Sequence, residues 1–106
     1  MSIEISSMSV IRQALNNMEG EFILLEPATY DAAIVGLVSK FGSTDPVVCY
    51  DTKKIIEILQ SDDGMGEDDA WEFYYFNIEG AYVGEATPVF INTTKSILAG
   101  DGSLSD

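Results

Sequence analysis

The 106-residue chain contains no histidine, one cysteine and only five lysine or arginine residues against 18 aspartate or glutamate. Without histidine the commonest general base and metal ligand is missing, and neither a Ser-His-Asp nor a Cys-His triad can be assembled. A single cysteine closes no intrachain disulfide and builds no zinc cluster. Cys49 lies between Val48 and Tyr50 in an apolar run, so it is expected to be a buried structural thiol. No stretch approaches the roughly 20 apolar residues that a membrane span requires. The opening Met1-Ser2-Ile3-Glu4-Ile5-Ser6 has no basic segment leading into an apolar one. The expectation is a soluble protein of the bacterial cytoplasm. There is no internal linker, repeat or low-complexity tract, which predicts one compact domain over residues 1–99 and a flexible tail over residues 100–106.

What is present is apolar material and negative charge. With 46% hydrophobic residues the chain can build one core. Its formal charge of −13 repels nucleic acid and anionic membranes, so direct binding to either is not expected.

Periodicity divides the domain into short elements. Ile11, Ala14, Leu15 and Met18 fall on one helical face, with Ser7 or Ser9 placed to cap it and Gly20 to end it. Residues 21–26 form a compact apolar run closed by Pro27 and read as extended. Tyr30, Ile34, Leu37, Val38 and Phe41 share one face of a second helix, capped by Thr29 or Asp31 and stopped by Gly42. Residues 47–50 read as a strand, and Asp51 is placed to cap a third helix whose apolar face is Ile55, Ile56 and Leu59. After the turn-forming Asp62-Asp63-Gly64-Met65-Gly66, a fourth helix runs from Glu67 to Ile78 with acids in its first turn. Residues 87–91 read as a last strand beside residues 47–50, starting at Pro88 or lying at an edge. The fold class is α+β, with about four short helices packed on a small sheet of two or three strands.

The sharpest feature is the distribution of charge. From Ile55 through Thr94 there is no lysine or arginine and there are nine acids, six of which (Asp62, Asp63, Glu67, Asp68, Asp69 and Glu72) fall between residues 62 and 72. Duplex DNA carries about one charge per 1.7 Å of axis, and a dense anionic corner resembles it closely enough to occupy a basic nucleic-acid-binding cleft. A solvated face that keeps a small protein soluble accounts for the same residues. A calcium loop does not. With Gly66 at position 6 and Glu72 at position 12, Met65 falls where an oxygen ligand is needed; with Gly64 at position 6, Leu59 does.

The aromatic run of residues 71–76 covers nearly every azimuth of its helix. Core packing is expected to absorb Trp71, Tyr74, Tyr75 and Ile78. Phe73 and Phe76 then remain for a partner or ligand surface, together with Tyr82 and Glu85 on the bend between Gly80 and Pro88. That bend is no phosphate loop, because it lacks the Gly-Lys-Ser/Thr ending and follows a helix. In structural terms Asn77 would take the left-handed turn that ends the fourth helix.

Several motifs occur together in order: Tyr30-Asp31-Ala32-Ala33-Ile34-Val35-Gly36, Val48-Cys49-Tyr50-Asp51, Lys54-Ile55-Ile56-Glu57-Ile58-Leu59, Asp63-Gly64-Met65 followed by Asp69-Ala70, Glu72-Phe73-Tyr74-Tyr75-Phe76-Asn77, Gly80-Ala81-Tyr82-Val83-Gly84-Glu85 and Thr87-Pro88-Val89-Phe90. Over residues 30–91 the combination resembles a family of small uncharacterised bacteriophage and bacterial proteins. The resemblance implies a phage or mobile-element setting and carries no activity with it. The first expectation is therefore a non-catalytic, cofactor-free binding protein of the anti-CRISPR or anti-restriction type. Its partner would be a host or defence protein with a basic nucleic-acid-binding surface. Rival expectations are a small-ligand or nucleotide-sequestering module built on the bend at residues 82–88, and a structural protein of a phage. A homodimer through the surplus aromatics is the alternative assembly, opposed by the charge on each chain.

Overall fold

A computed structural model describes residues 9–20, 22–39, 42, 45–81 and 84–99. The fold is α+β. Helix α1 (Val10–Asn16) leads into an irregular stretch and a 3-10 helix (Ala28–Ala33). Strands β1 (Ile34–Val38) and β2 (Val47–Asp51), helices α2 (Thr52–Asp62) and α3 (Glu67–Phe73), a π-helical turn (Tyr74–Glu79), strand β3 (Val89–Ile91) and helix α4 (Thr94–Leu98) follow. The sheet order is β1-β2-β3. β1 runs antiparallel to β2, with Leu37 opposite Val48 and Val38 opposite Val47; β3 runs parallel to β2, with Tyr50 opposite Phe90.

The second predicted helix, from Tyr30 onward, is not formed among the described residues, 30–39. Its first half is the 3-10 helix, and its apolar half is the edge strand β1. A short apolar run satisfies helical and strand templates alike. Here Ile34, Val35 and Val38 are β-branched and Gly36 interrupts them, so helix propensity is poor. Pairing with β2 gives their backbone groups partners that the sequence does not announce. The register slips by one residue between Ile34 and Gly36, a bulge that leaves Val35 exposed.

Strand β2 is the centre of the domain. Val47, Val48, Cys49 and Tyr50 are all buried, as a strand covered on both faces must be. Val48 and Tyr50 join the main core with Leu15, Tyr30, Ala33, Ile55, Ile56, Ile58, Leu59, Ala70, Tyr74 and Ile78. Burial, and then the charge of Asp51, push the Cys49 thiol above its ordinary range, which makes it a poor nucleophile. Asp51 caps α2 as its position predicts: its Oδ1 accepts from the amides of Lys53 and Lys54, at 3.0 and 3.4 Å. At the other end Gly64 takes φ 70°, a left-handed conformation that suits glycine, and the Met65 amide donates back to the Leu59 carbonyl at 3.4 Å.

The helix predicted from residue 67 continues to Glu79 but changes winding at Tyr74. Asn77 lies inside the π turn rather than in a left-handed cap; among the described residues only glycines have positive φ. Gly80 ends the turn by donating to the Tyr75 carbonyl at 3.0 Å, five residues back. A Cβ at Gly80 would sit 2.7 Å from that same oxygen, so close approach of backbone to backbone requires glycine here. Residues 22–25 belong to no helix or strand, the Leu25 amide donates to the Tyr50 hydroxyl at 2.8 Å, and Phe22, Leu24 and Leu25 pack half-buried against the core. The predicted tail over residues 100–106 lies outside the described residues. Helix α4 was not expected; it is capped by Thr93, whose Oγ1 accepts from the Ser96 amide at 3.2 Å.

Helix α1 is held by an ion pair that no periodicity announces. Arg12 Nε and Nη2 donate to the two oxygens of Asp31 at 2.8 and 2.9 Å, and Ser9 Oγ donates to Asp31 Oδ2 at 2.6 Å. Arg12 also reaches the Leu25 carbonyl at 3.0 Å and Glu26 at 2.9 Å. Burial pushes the Asp31 carboxyl up, but the hydrogen bonds from Arg12 and Ser9 and the guanidinium charge outweigh it, and the carboxyl titrates below its ordinary value. Asp31 thus clamps α1 instead of capping a helix.

Candidate functional site

The corner between α2 and α3 carries the anionic residues singled out in the sequence. Asp62 is the last residue of α2, Asp63 follows it, and Glu67, Asp68 and Asp69 form the first turn of α3 with Glu72 one turn on. All six are exposed. The acids of α3 suit the positive end of their helix. Those of α2 do not, because Asp62 and Asp63 sit at its negative end, where each is disfavoured by about 0.3–1 kcal/mol. The charges of Asp63 and Asp62 are felt at the Tyr30 phenol, which burial first pushes above its ordinary range and they push further.

Residues Ala70, Tyr74 and Ile78 turn inward, which directs Asp69, Glu72, Phe76 and Asn77 away from the core and leaves Phe73 at its margin. With Met65 these five line an open depression of about 440 Å³. The structure therefore brings four of the sequence-selected residues, Asp69, Glu72, Phe73 and Phe76, to one surface. Phe76 is 76% exposed, the exposure of a side chain with no packing role in this chain. Phe73 is half-buried and packs against the core while lining the same depression. The assignment of Tyr75 to the core is corrected, since it is 37% exposed, whereas Trp71 is half-buried and packs against the core as expected. The two rings lie 5.7 Å apart, and both contact Tyr74, which continues through Phe90 to Tyr50.

The π turn accounts for part of this surface. Its hydrogen bonds span five residues instead of four, so an extra residue is accommodated per turn, and Tyr75, Phe76 and Asn77 all come to the outside. It is anchored beneath by the Tyr74 hydroxyl, 2.9 Å from Thr52 Oγ1 in a buried contact. Burial drives the Tyr74 phenol well above its ordinary value, and the Thr52 hydrogen bond offsets only part of that shift. Winding of this kind is absent from residue patterning, which is why the sequence could not place Tyr75 correctly.

Glu85 does not join the depression. It is exposed on a turn in which Thr87 donates to the Gly84 carbonyl through both its amide and its hydroxyl. Tyr82 lies outside the described residues. Among the described residues no three acidic or cysteine side chains converge in a way that could hold a metal ion, and no helix is long and apolar enough to cross a membrane.

The cations among the described residues lie elsewhere. Lys53 and Lys54 occupy the first turn of α2, about 13 Å of helical rise from Asp62. They line a second cleft with Lys95, and Arg12 is engaged by Asp31. The chain matches no protein-family model, no curated protein and no solved structure.

Proposed function

We propose that this protein is a stoichiometric binding protein, set in a phage or mobile element, that occupies the basic cleft of a nucleic-acid-handling protein with its α2–α3 corner. The observation that carries the reading is the joining, on one exposed surface, of Asp69, Glu72 and the unpacked ring of Phe76, with four more exposed acids at the ends of α2 and α3 and with Lys53, Lys54 and Lys95 lining a different cleft. Interfaces commonly combine a desolvated aromatic anchor with a charged rim that steers and orients. Phe76 suits the first role. Asp62, Asp63, Glu67, Asp68, Asp69 and Glu72 suit the second. No cofactor or catalytic step enters this reading.

The test is affinity capture from bacterial lysate with the wild-type protein beside a variant carrying Asp62→Lys, Asp63→Lys, Asp68→Lys and Asp69→Lys. Capture of a nucleic-acid-binding protein by the wild type alone, with release by duplex DNA, is the expected outcome. Capture by both proteins, or a complex that duplex DNA leaves intact, overturns the mimicry.

A further inference from the structure

The cleft at the opposite end of α2 has chemistry of the contrary sign. It has a volume of about 260 Å³ and opens where α2 leaves β2 and α4 follows β3. Lys53, Lys54 and Lys95 line it, three of the five basic residues in a chain of net charge −13. Electrostatic stability alone would disperse such scarce cations among the 18 acids. Here they share one concavity with two acids, and both acids have structural duties. Asp51 accepts from the first amides of α2, and Glu57 lies 3.9 Å from the Lys54 ammonium. Helix stability does not explain the lysines either, because two of them stand at the positive end of α2.

Hydroxyl groups complete the lining. Thr93 Oγ1 donates to Ser96 Oγ at 3.2 Å, which leaves the Ser96 hydroxyl hydrogen to serve as a donor. Ser96 is 8% exposed, so this donor is held by the fold rather than drifting on the surface. β2 and β3 are adjacent parallel strands, and the cleft lies beyond their carboxyl ends, so that one pairing brings Lys95 to Lys53 and Lys54.

We propose that this cleft binds a phosphate group carried by a small molecule. Compact ammonium charges and the Ser96 hydroxyl donor match a phosphate's charge and its acceptor oxygens. The volume falls below the usual range of roughly 300–1,000 Å³ for small-molecule sites, so it suits a phosphate with a short body and excludes a dinucleotide. The surface is independent of the α2–α3 corner, and the proposal does not rest on the inhibitory reading.

The experiment is a titration of the isotopically labelled protein followed by amide NMR, with sodium phosphate in one arm and glycerol phosphate in the other. Sodium chloride matches the ionic strength of both. Shifts confined to residues 51–57 and 93–99, saturating with a Kd below about 1 mM and weakened at least tenfold by Lys95→Ala, are expected. Equal affinity in the two arms identifies the phosphate alone as the recognised group; tighter binding of glycerol phosphate identifies a phosphomonoester. Absence of saturable shifts in both arms overturns the proposal, as does a titration that Lys95→Ala and Lys54→Ala leave unchanged.

Discussion

Replacing Asp31 with asparagine keeps its volume and removes the charge that Arg12 faces. The Asp31 side chain is 2% exposed and that of Arg12 13%, so the pair is shielded from water. Breaking a buried pair by removing one partner costs about 3–5 kcal/mol, because the remaining charge is left uncompensated. Arg12 keeps the Leu25 carbonyl and the exposed Glu26, which places the loss near the lower end, about 3 kcal/mol. With a urea m-value of about 1.5 kcal/mol/M, the unfolding midpoint at neutral pH falls by about 2 M. In an Arg12→Met background the same substitution is expected to be neutral or stabilising, since there it removes an unpaired buried carboxylate. The pH dependence has a definite sign. The folded Asp31 carboxyl titrates below its ordinary value, so the stability it contributes is fully present above about pH 4 and is lost as pH falls through the folded value. The wild-type minus variant difference should therefore be flat at neutral pH and shrink in acid, where other titrations common to both proteins cancel. A loss under about 1 kcal/mol, or the same loss in both backgrounds, refutes the coupling of Arg12 to Asp31.

Gly80→Ala places a methyl group 2.7 Å from the Tyr75 carbonyl and should lower stability by about 1–3 kcal/mol in chemical unfolding, with the loss of protection from hydrogen exchange concentrated in residues 74–80. Tyr74→Phe leaves Thr52 Oγ1 without its buried partner and should cost about 1–2 kcal/mol, while Phe76→Ala, at an exposed ring, should stay within about 0.5 kcal/mol of wild type in the same assay. Asp62→Lys with Asp63→Lys reverses two charges that oppose the dipole of α2. Thermal unfolding should show a gain of about 1–2 kcal/mol even as capture of a basic partner is lost. A stability loss in that variant would mean that the corner has a structural role.

Much of this domain was legible in its residues. Asp51 and Ser9 act as helix caps, Pro88 precedes an edge strand, and β2 pairs with β3 in the expected neighbourhood. These are local signals, set by one side chain and its next three or four residues. What failed depended on distant partners. Ile34–Val38 could satisfy either period, and only β2 decides in favour of a strand. Arg12 and Asp31 are 19 positions apart, and nothing in either neighbourhood marks them as a pair. The acidic corner was readable because its members are contiguous. The lysine cleft was not, because Lys95 meets Lys53 and Lys54 only through the parallel pairing of β3 with β2.

The chain of rings from Tyr50 to Trp71 also has an optical consequence. Trp71 is the only tryptophan, with the rings of Tyr74 and Tyr75 at 5.9 and 5.7 Å. At such separations light absorbed by the tyrosines is emitted by the indole, which belongs to α3. Native fluorescence thus reports without a label on α3, the helix that carries Glu67, Asp68, Asp69 and Glu72, while the lysine cleft, lined by no aromatic side chain, is spectroscopically silent. A shift in emission on mixing with a partner would say which of the two surfaces had been covered.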